Sequence, residues 1–279
     1  MKSLFIIVLC TAIAGCAFSP ANHEGKDAPG RTAIVPVKAA ARPVIGLVLG
    51  AGGARGFAHV GVLKALEAAG IEADLVVGAS SGALVAALYS GGYSALQLEA
   101  LALELEDRDI FDFTLFGPGR VEGAQIARFV NRSLTNRPIE KLNKPFAAVA
   151  TAQGTNEMAV FNRGNTGLAV RASASVPSIF WPVVINGRSY VDGAVASRVP
   201  AALAREMGAD VVIAVDISRR PAGEADAADV VIRPDAVRSR LNDFKHRQTN
   251  IAAGEEAASA AIAQIRASIE AAALARKLR

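Results

Sequence analysis

Cysteine is almost absent from this chain: of 279 residues only Cys10 and Cys16 are cysteine, both within the first 16. The body of the protein can therefore hold neither a disulfide framework nor a cysteine-ligated metal. Histidine is nearly as scarce, with His23, His59 and His246 the whole supply. Any chemistry that needs an imidazole must draw on one of those three. Aromatics make up 5% of the residues and the net charge is only +4. No basic tract carries interleaved aromatics, so the usual footprint of nucleic-acid binding is missing. The acids Glu104, Glu106, Asp107 and Asp109 read as a solvated helix end, and neither a metal nor a cofactor is expected. What is present is 52% hydrophobic and 20% charged. That suits one α/β domain, long enough to bury a substantial core.

The first residues have a character of their own. Lys2 precedes an apolar segment from Leu4 to Ala14. This is too short to span a bilayer as a helix and fits the apolar part of a secretory signal. It ends Ile13-Ala14-Gly15-Cys16, which resembles the bacterial lipobox. The expectation is a lipoprotein signal over 1–15 and lipidation of Cys16. The mature protein would then sit on a membrane of the bacterial cell envelope. Ala17 after the cysteine points to the periplasmic face of the outer membrane if the cell is Gram-negative. From residue 16 to Arg42 the chain is rich in Ala, Pro and Gly without a period, and reads as a flexible tether. The folded domain is expected over 43–279.

Within that domain, apolar runs alternate with helical periodicity. "VIGLVL" (44–49), "ADLVVG", "FAAVATA", "ADVVIAVD" and "ADVVIRP" read as buried strands. Helical patterns follow the first two, then recur at 94–106, 123–134 and 198–208, and one long Ala-rich helix or two close the chain from Leu241. "VVINGRSYV" predicts a hairpin turning on Asn186-Gly187. The alternation predicts an α/β fold, a mostly parallel central sheet with helices on both faces.

Two glycine-rich turns follow strands. "GAGGARG" (50–56) could bind a dinucleotide, but that site needs an acid at the end of the second strand, and Val76-Val77-Gly78 offers none. The other reading is an oxyanion hole. Amides of Gly52, Gly53 and Ala54 would converge at a helix N-terminus, with Arg55 bracing the loop. The second turn, Gly78-Ala79-Ser80-Ser81-Gly82, matches G-x-S-x-G between a strand and a helix, the context of a nucleophile elbow. Ser80 takes the elbow position, and Ser81 begins the helix.

A serine needs a base to take its proton. Chain order permits a Ser80-Asp216-His246 triad, although "NDFKHRQTN" reads as a helix face rather than a loop aiming an imidazole. His59 precedes the serine and reads as a packed helix residue, and His23 lies in the tether. Asp192, in "YVDGAV", is either an Asp-Gly turn or a carboxylate bonded directly to the serine.

Four blocks, "GAGGARGFAHVGVL", "GASSG", "RASASVPSIFWPV" and "VDGAV", occur in an order that resembles the patatin-like phospholipases, the family of plant patatin, cytosolic phospholipase A2 and neuropathy target esterase. The likeness runs from Val44 to the C-terminal helix and is greatest to bacterial members. It implies a Ser80–Asp192 dyad without histidine, with Ser80 the nucleophile, Asp192 the general base and acid, and the glycine loop the oxyanion hole. It implies lipid or ester substrates. The family's G-x-G-x-x-G would begin at residue 51, which is Ala here, and its "DGG" is "DGA". Apolar side chains in 111–116 and 179–183 are expected to line an acyl groove. The same fold could instead serve a non-catalytic lipid-binding lipoprotein.

Overall fold

Runs that are apolar at every position cannot leave one face in water, so they settle in the middle of a sheet covered on both sides. In the computed structural model the strands are β1 Asn22–His23, β2 Ile45–Leu49, β3 Leu75–Ala79, β4 Phe146–Ala152, β5 Met158–Phe161, β6 Val183–Ile185, β7 Arg188–Asp192, β8 Val211–Val215 and β9 Val230–Ile232. The helices are α1 Phe57–Ala68, α2 Ser81–Ser90, α3 Ala95–Glu104, α4 Asp107–Ile110, α5 Ala124–Ser133, α6 Thr166–Ser173, α7 Ala201–Glu206 and α8 Arg247–Lys277. The structure describes residues 19–38, 42–115, 117–218, 225, 227–237, 240–241 and 243–278.

β4, β3, β2, β8 and β9 lie side by side and all parallel. Alternate residues serve opposite faces. Leu47, Leu49, Ile213 and Val215 join the larger core under α1, α2, α5, α6 and α8, while Val48, Val77, Val212 and Ala214 join a smaller one under α7. The expected mostly parallel sheet with helices on both faces is what forms. β6 and β7 make the expected hairpin on Asn186 (φ 49°) and Gly187 (φ 75°), the left-handed pair that a two-residue turn needs.

One feature of the register sets where the ends of β3 and β7 lie. β5 pairs antiparallel with β4 over 148–151, occupying one edge. β3 pairs with 146–149 and β7 with 150–152, so these two must share the other edge, end to end. Ala79 sits opposite Val149 and Asp192 opposite Ala150. The C-terminal ends of a parallel strand and an antiparallel strand therefore meet head-on along β4.

The Ala-rich C-terminal helix docks by backbone contact. A Cβ on Gly61 of α1 would lie 1.8 Å from the Ile251 carbonyl oxygen, and one on Gly254 of α8 would lie 1.9 Å from that of Ala58. At this crossing only two glycines fit.

Residues 19–38 correct the expectation of a free tether. β1 pairs in parallel with β6, and the Gly30 N–H donates to the Arg163 carbonyl (3.2 Å). Ala28 is buried, the Val37 N–H donates to Met207 O (2.8 Å), and Ile34 and Val37 pack on the smaller core. The apolar side chains interrupting this Pro- and Gly-rich stretch find uncovered sheet and helix surface, and that contact orders it. The expected signal segment, 1–15, and Cys16 lie outside the described residues.

Candidate active site

β3 ends at Ala79 and the chain turns into α2 through a single residue. Ser80 has φ 55° and ψ −125°, a left-handed conformation that costs a non-glycine residue about 1–3 kcal/mol. The turn is held tightly enough to impose it. The Ser80 N–H donates to Ser173 Oγ (2.9 Å), and Ser173 Oγ donates to the Val149 carbonyl (2.5 Å), so β4 clamps the elbow through α6. The flanking glycines are needed for clearance. A Cβ on Gly78 would meet Ala83 Cα at 2.5 Å, and one on Gly82 would meet Leu49 O at 2.0 Å.

Asp192 arrives from the other direction at the end of β7. Ser80 Oγ donates to Asp192 Oδ2 at 2.6 Å, and the Ala194 N–H donates to Oδ1 at 2.8 Å. The backbone of Asp192 is fixed as well, its N–H donating to Ser175 O and its carbonyl accepting from Thr151 Oγ1, both at 2.8 Å. Only 3% of Asp192 and 5% of Ser80 is exposed. Burial pushes the Asp192 carboxyl up to about 6, although the hydrogen bonds from Ser80 and Ala194 favour the charged form.

The glycine loop lies beside this pair. The Gly50 N–H donates to Val215 O and the Ala51 N–H to Arg198 O, which pins the start of the loop to the sheet. Ala51 thus spends its amide on anchoring, a task any residue with an N–H can perform. Residues 53–56 form a tight turn into α1, closed by the Arg55 N–H on Gly52 O (3.4 Å). The first N–H groups of such a turn have no acceptor within it and point outward. Gly53 and Ala54 line the same cavity as Ser80. Gly52 is packed against Ile217 instead, where a Cβ would stand 2.5 Å from Ile217 Cδ1.

The three histidines stand apart from Ser80 Oγ, whose partner is Asp192. His59 is fully buried, and its Nε2 donates to the Gly50 carbonyl at 2.8 Å, fixing the loop's first residue. Desolvation lowers its pKa to about 4, so the ring is neutral. Asp216 accepts from the Ser218 N–H and hydroxyl and lies 3.7 Å from Arg233. Among the described residues no hydrogen bond links Asp216 to His246, or His246 to Ser80, so the alternative triad is not assembled. His23 belongs to β1.

A cavity of about 120 Å³ opens onto Ser80. Apart from Ser80 and Ser81 its side chains are apolar: Val85 and Leu88 of α2, Leu98 and Leu101 of α3, Ile126 and Phe129 of α5, with Phe111, Phe180 and Phe244. The expected groove is thus met only in part. Phe111 and Phe180 line the cavity, whereas Phe113 and Leu115 are exposed and Val183 is inside β6. Phe116 lies outside the described residues. Arg247 ties this wall together, donating to the Ala102, Leu103 and Leu105 carbonyls at the end of α3. Sequence reasoning missed Ser173 and the α2, α3 and α5 lining. A clue to the first was present in "RASAS", where two small hydroxyls interrupt a buried helix end.

The sequence profile described as Patatin-like phospholipase matches residues 47–205, a span that includes the glycine loop, Ser80 and Asp192. Mouse Patatin-like phospholipase domain-containing protein 6 is 36% identical over 194 residues, covering 67% of this chain and 14% of the mouse protein. An uncharacterized NTE family protein of Mycobacterium bovis is 32% identical over 200 residues, covering 71% of this chain and 55% of its own. The chain thus spans only part of the length of these relatives. Among solved structures, VipD from Legionella pneumophila superposes with a TM-score of 0.56 at 13% identity, over 86% of this chain and 71% of VipD. The type III effector ExoU of Pseudomonas aeruginosa gives 0.51 at 17% identity, over 80% of this chain and 53% of ExoU. At such identities the likeness is one of fold. With more than half of its length matched, residues 47–205, this chain belongs to the patatin-like phospholipase family.

Proposed function

We propose that the protein is a serine acyl hydrolase that cleaves lipid esters, of phospholipase, lysophospholipase or esterase type, through Ser80 and Asp192. The observation that carries this is the 2.6 Å contact between Ser80 Oγ and Asp192 Oδ2, buried beside an apolar cavity. Family membership and the word phospholipase in the relatives' names support the same substrate class.

In this reading the Asp192 carboxylate takes the Ser80 proton as Oγ attacks the ester carbonyl carbon. The carbonyl π electrons move onto oxygen, and the outward amides of Gly53 and Ala54 stabilise the oxyanion. Gly52 and Arg55 support that loop. Collapse of the tetrahedral intermediate breaks the bond to the leaving oxygen, which receives the proton from Asp192. The alcohol departs and the acyl group stays on Ser80. Water then attacks the acyl-enzyme with Asp192 again as base, and the free acid leaves as Oγ is reprotonated. An apolar cavity beside the serine favours an acyl chain by burial, at about 0.8 kcal/mol per methylene.

The reading extends to the N-terminus: Cys16 carries the lipid anchor, and the domain works at the surface of a bacterial envelope membrane. Its support is the run Ile13-Ala14-Gly15-Cys16. Incorporation of radiolabelled palmitate, lost on Cys16→Ser, tests it.

Hydrolysis of a panel of lipid esters, with the Ser80→Ala chain alongside, tests the enzyme. Turnover absent from Ser80→Ala and retained in His246→Ala is the expected outcome. Equal activity in the wild type and Ser80→Ala would leave a lipid-binding protein on the same fold, and loss in His246→Ala would restore the triad.

A further inference from the structure

Beyond the dyad, the molecule has a second apolar feature at the mouth of its cavity. Phe113 is 65% exposed and Leu115 94% exposed, the second value the highest among the large hydrophobics described. They sit on the connection between α4 and α5. A separate depression of about 510 Å³ lies there, lined by Phe111, Phe113, Val121, Ile179 and Leu241, together with Arg120 and Arg240. Phe111 and Leu241 also line the cavity that holds Ser80, so the two spaces share a wall. Arg120 and Arg240 are both exposed, and neither forms an ion pair among the described residues. The nearby Asp112 carboxylate does not oppose them, because it turns inward to the Gly123 and Gln125 amides.

The path of the chain marks the same end of the molecule. Trp181 Nε1 donates to Gly119 O at 3.0 Å, the Trp181 N–H donates to Val121 O at 2.9 Å, and the Arg120 and Val121 amides donate to Ile179 O. The exposed connection is thereby tied to the residues leading into β6. β1 pairs in parallel with β6 through Asn22 and Val184. Followed backwards, the chain from Asn22 to residue 19 runs towards that same entry, three residues short of Cys16.

We propose that Phe113 and Leu115, with Arg120 and Arg240 beside them, form a docking surface for an anionic phospholipid bilayer, distinct from any acyl anchor on Cys16. The two apolar side chains enter the headgroup region while the arginines meet lipid phosphates. Docking brings the shared wall of the two cavities to the membrane, so that a lipid chain can reach Ser80 without crossing bulk water. The role of this surface in hydrolysis rests on the proposed function; its affinity for membranes does not.

Vesicle flotation tests it. The full chain carrying Cys16→Ser and Ser80→Ala removes both acylation and lipid turnover from the readout. It is mixed with phosphatidylcholine vesicles, with or without phosphatidylglycerol. Binding is expected with phosphatidylglycerol and to weaken as salt is raised. Phe113→Ser with Leu115→Ser should lower the partition coefficient on the order of 100-fold. Leu115→Ser alone, at a side chain almost wholly in solvent, should lower it about tenfold. Arg120→Gln and Arg240→Gln should each cost about fivefold with phosphatidylglycerol and little without it. With Ser80 intact, Leu115→Ser should leave hydrolysis of a dissolved short-chain ester unchanged while slowing hydrolysis of vesicle lipid. Equal binding by the parent and the Leu115→Ser chain would overturn the docking surface. So would a parent that is dimeric and becomes monomeric in the Phe113→Ser, Leu115→Ser chain, since the patch would then be a self-interface. Binding with no turnover of any ester would instead remove the proposed function and leave the docking surface standing.

Discussion

Burial of the Asp192 carboxylate, against the hydrogen bonds from Ser80 and Ala194, raises its pKa to about 6, so hydrolysis should rise with pH through that value and level off above it. The ordinary aspartate value is 3.8, which means that the folded state holds this proton more tightly than the unfolded chain. Asp192 therefore favours folding below about pH 4, and that contribution is lost as the pH rises through about 6. A gap of two pH units corresponds to roughly 3 kcal/mol. Asp192→Asn should lower kcat by about 10²- to 10⁴-fold and yet raise the Tm at pH 8 by several degrees, with little change at pH 4. His59 has the opposite sign. Its folded pKa of about 4 lies below the ordinary 6.5, so its contribution is present above pH 6.5 and lost as the pH falls towards 4. In the wild type the two groups offset one another between those limits. Denaturant titrations of Asp192→Asn should therefore show a steeper loss of stability on acidification than the parent.

At the scale of elements, the crossing of α1 and α8 leaves less room for a Cβ than any other position among the described glycines. Gly254→Ala places a methyl where the Ala58 carbonyl already stands, at a cost of about 3 kcal/mol. For a domain of this size that is a Tm lower by roughly 6–12 °C, measurable by circular dichroism. The elements legible in the sequence were those with strong local signals. β2 and β3 are unbroken apolar runs ending in glycine, α1 and α2 follow them, and Asn186-Gly187 has one obvious turn geometry. The positions of Ser80 and the glycine loop were legible because each lies in a glycine-rich turn where a strand gives way to a helix. What stayed hidden depends on long-range contact. β1 is two residues long, and β5 has Met158 exposed at its end, so neither carries a periodic signal. Ser173 acts through β4, which is distant in sequence, and no local pattern distinguishes it from Ser175. The cavity lining comes from Leu and Val on three helices, residues whose spacing reads equally well as core.

For the molecule as a whole, residues 19–38 change where the domain begins. They cover the smaller core through Ile34 and Val37 and extend the sheet beside β6. A chain beginning at Pro43 uncovers these contacts. It should melt several degrees below one that retains residues 19–38, and gain exposed apolar surface detectable by dye binding. Because the segment is held, a membrane anchor at Cys16 would be separated from the folded body by only a few residues. The tether sketched from composition would instead give about 25–30 Å of reach. The domain's orientation to the membrane then becomes a property of the fold rather than of a swinging linker.

The meeting of β3 and β7 along one edge of β4 also has a consequence in time. Ser80 and Asp192 are 112 residues apart in the chain, and β4 is the strand that both β3 and β7 pair with. A one-residue slip of β7 would carry Asp192 to the opposite face of the sheet. Pairings of such long sequence separation close late, because the loop entropy must be met before the contact rewards it. After dilution from denaturant, the return of ester hydrolysis should therefore lag behind the return of helical signal, making the Ser80–Asp192 contact a clock for the last correct closure of the sheet.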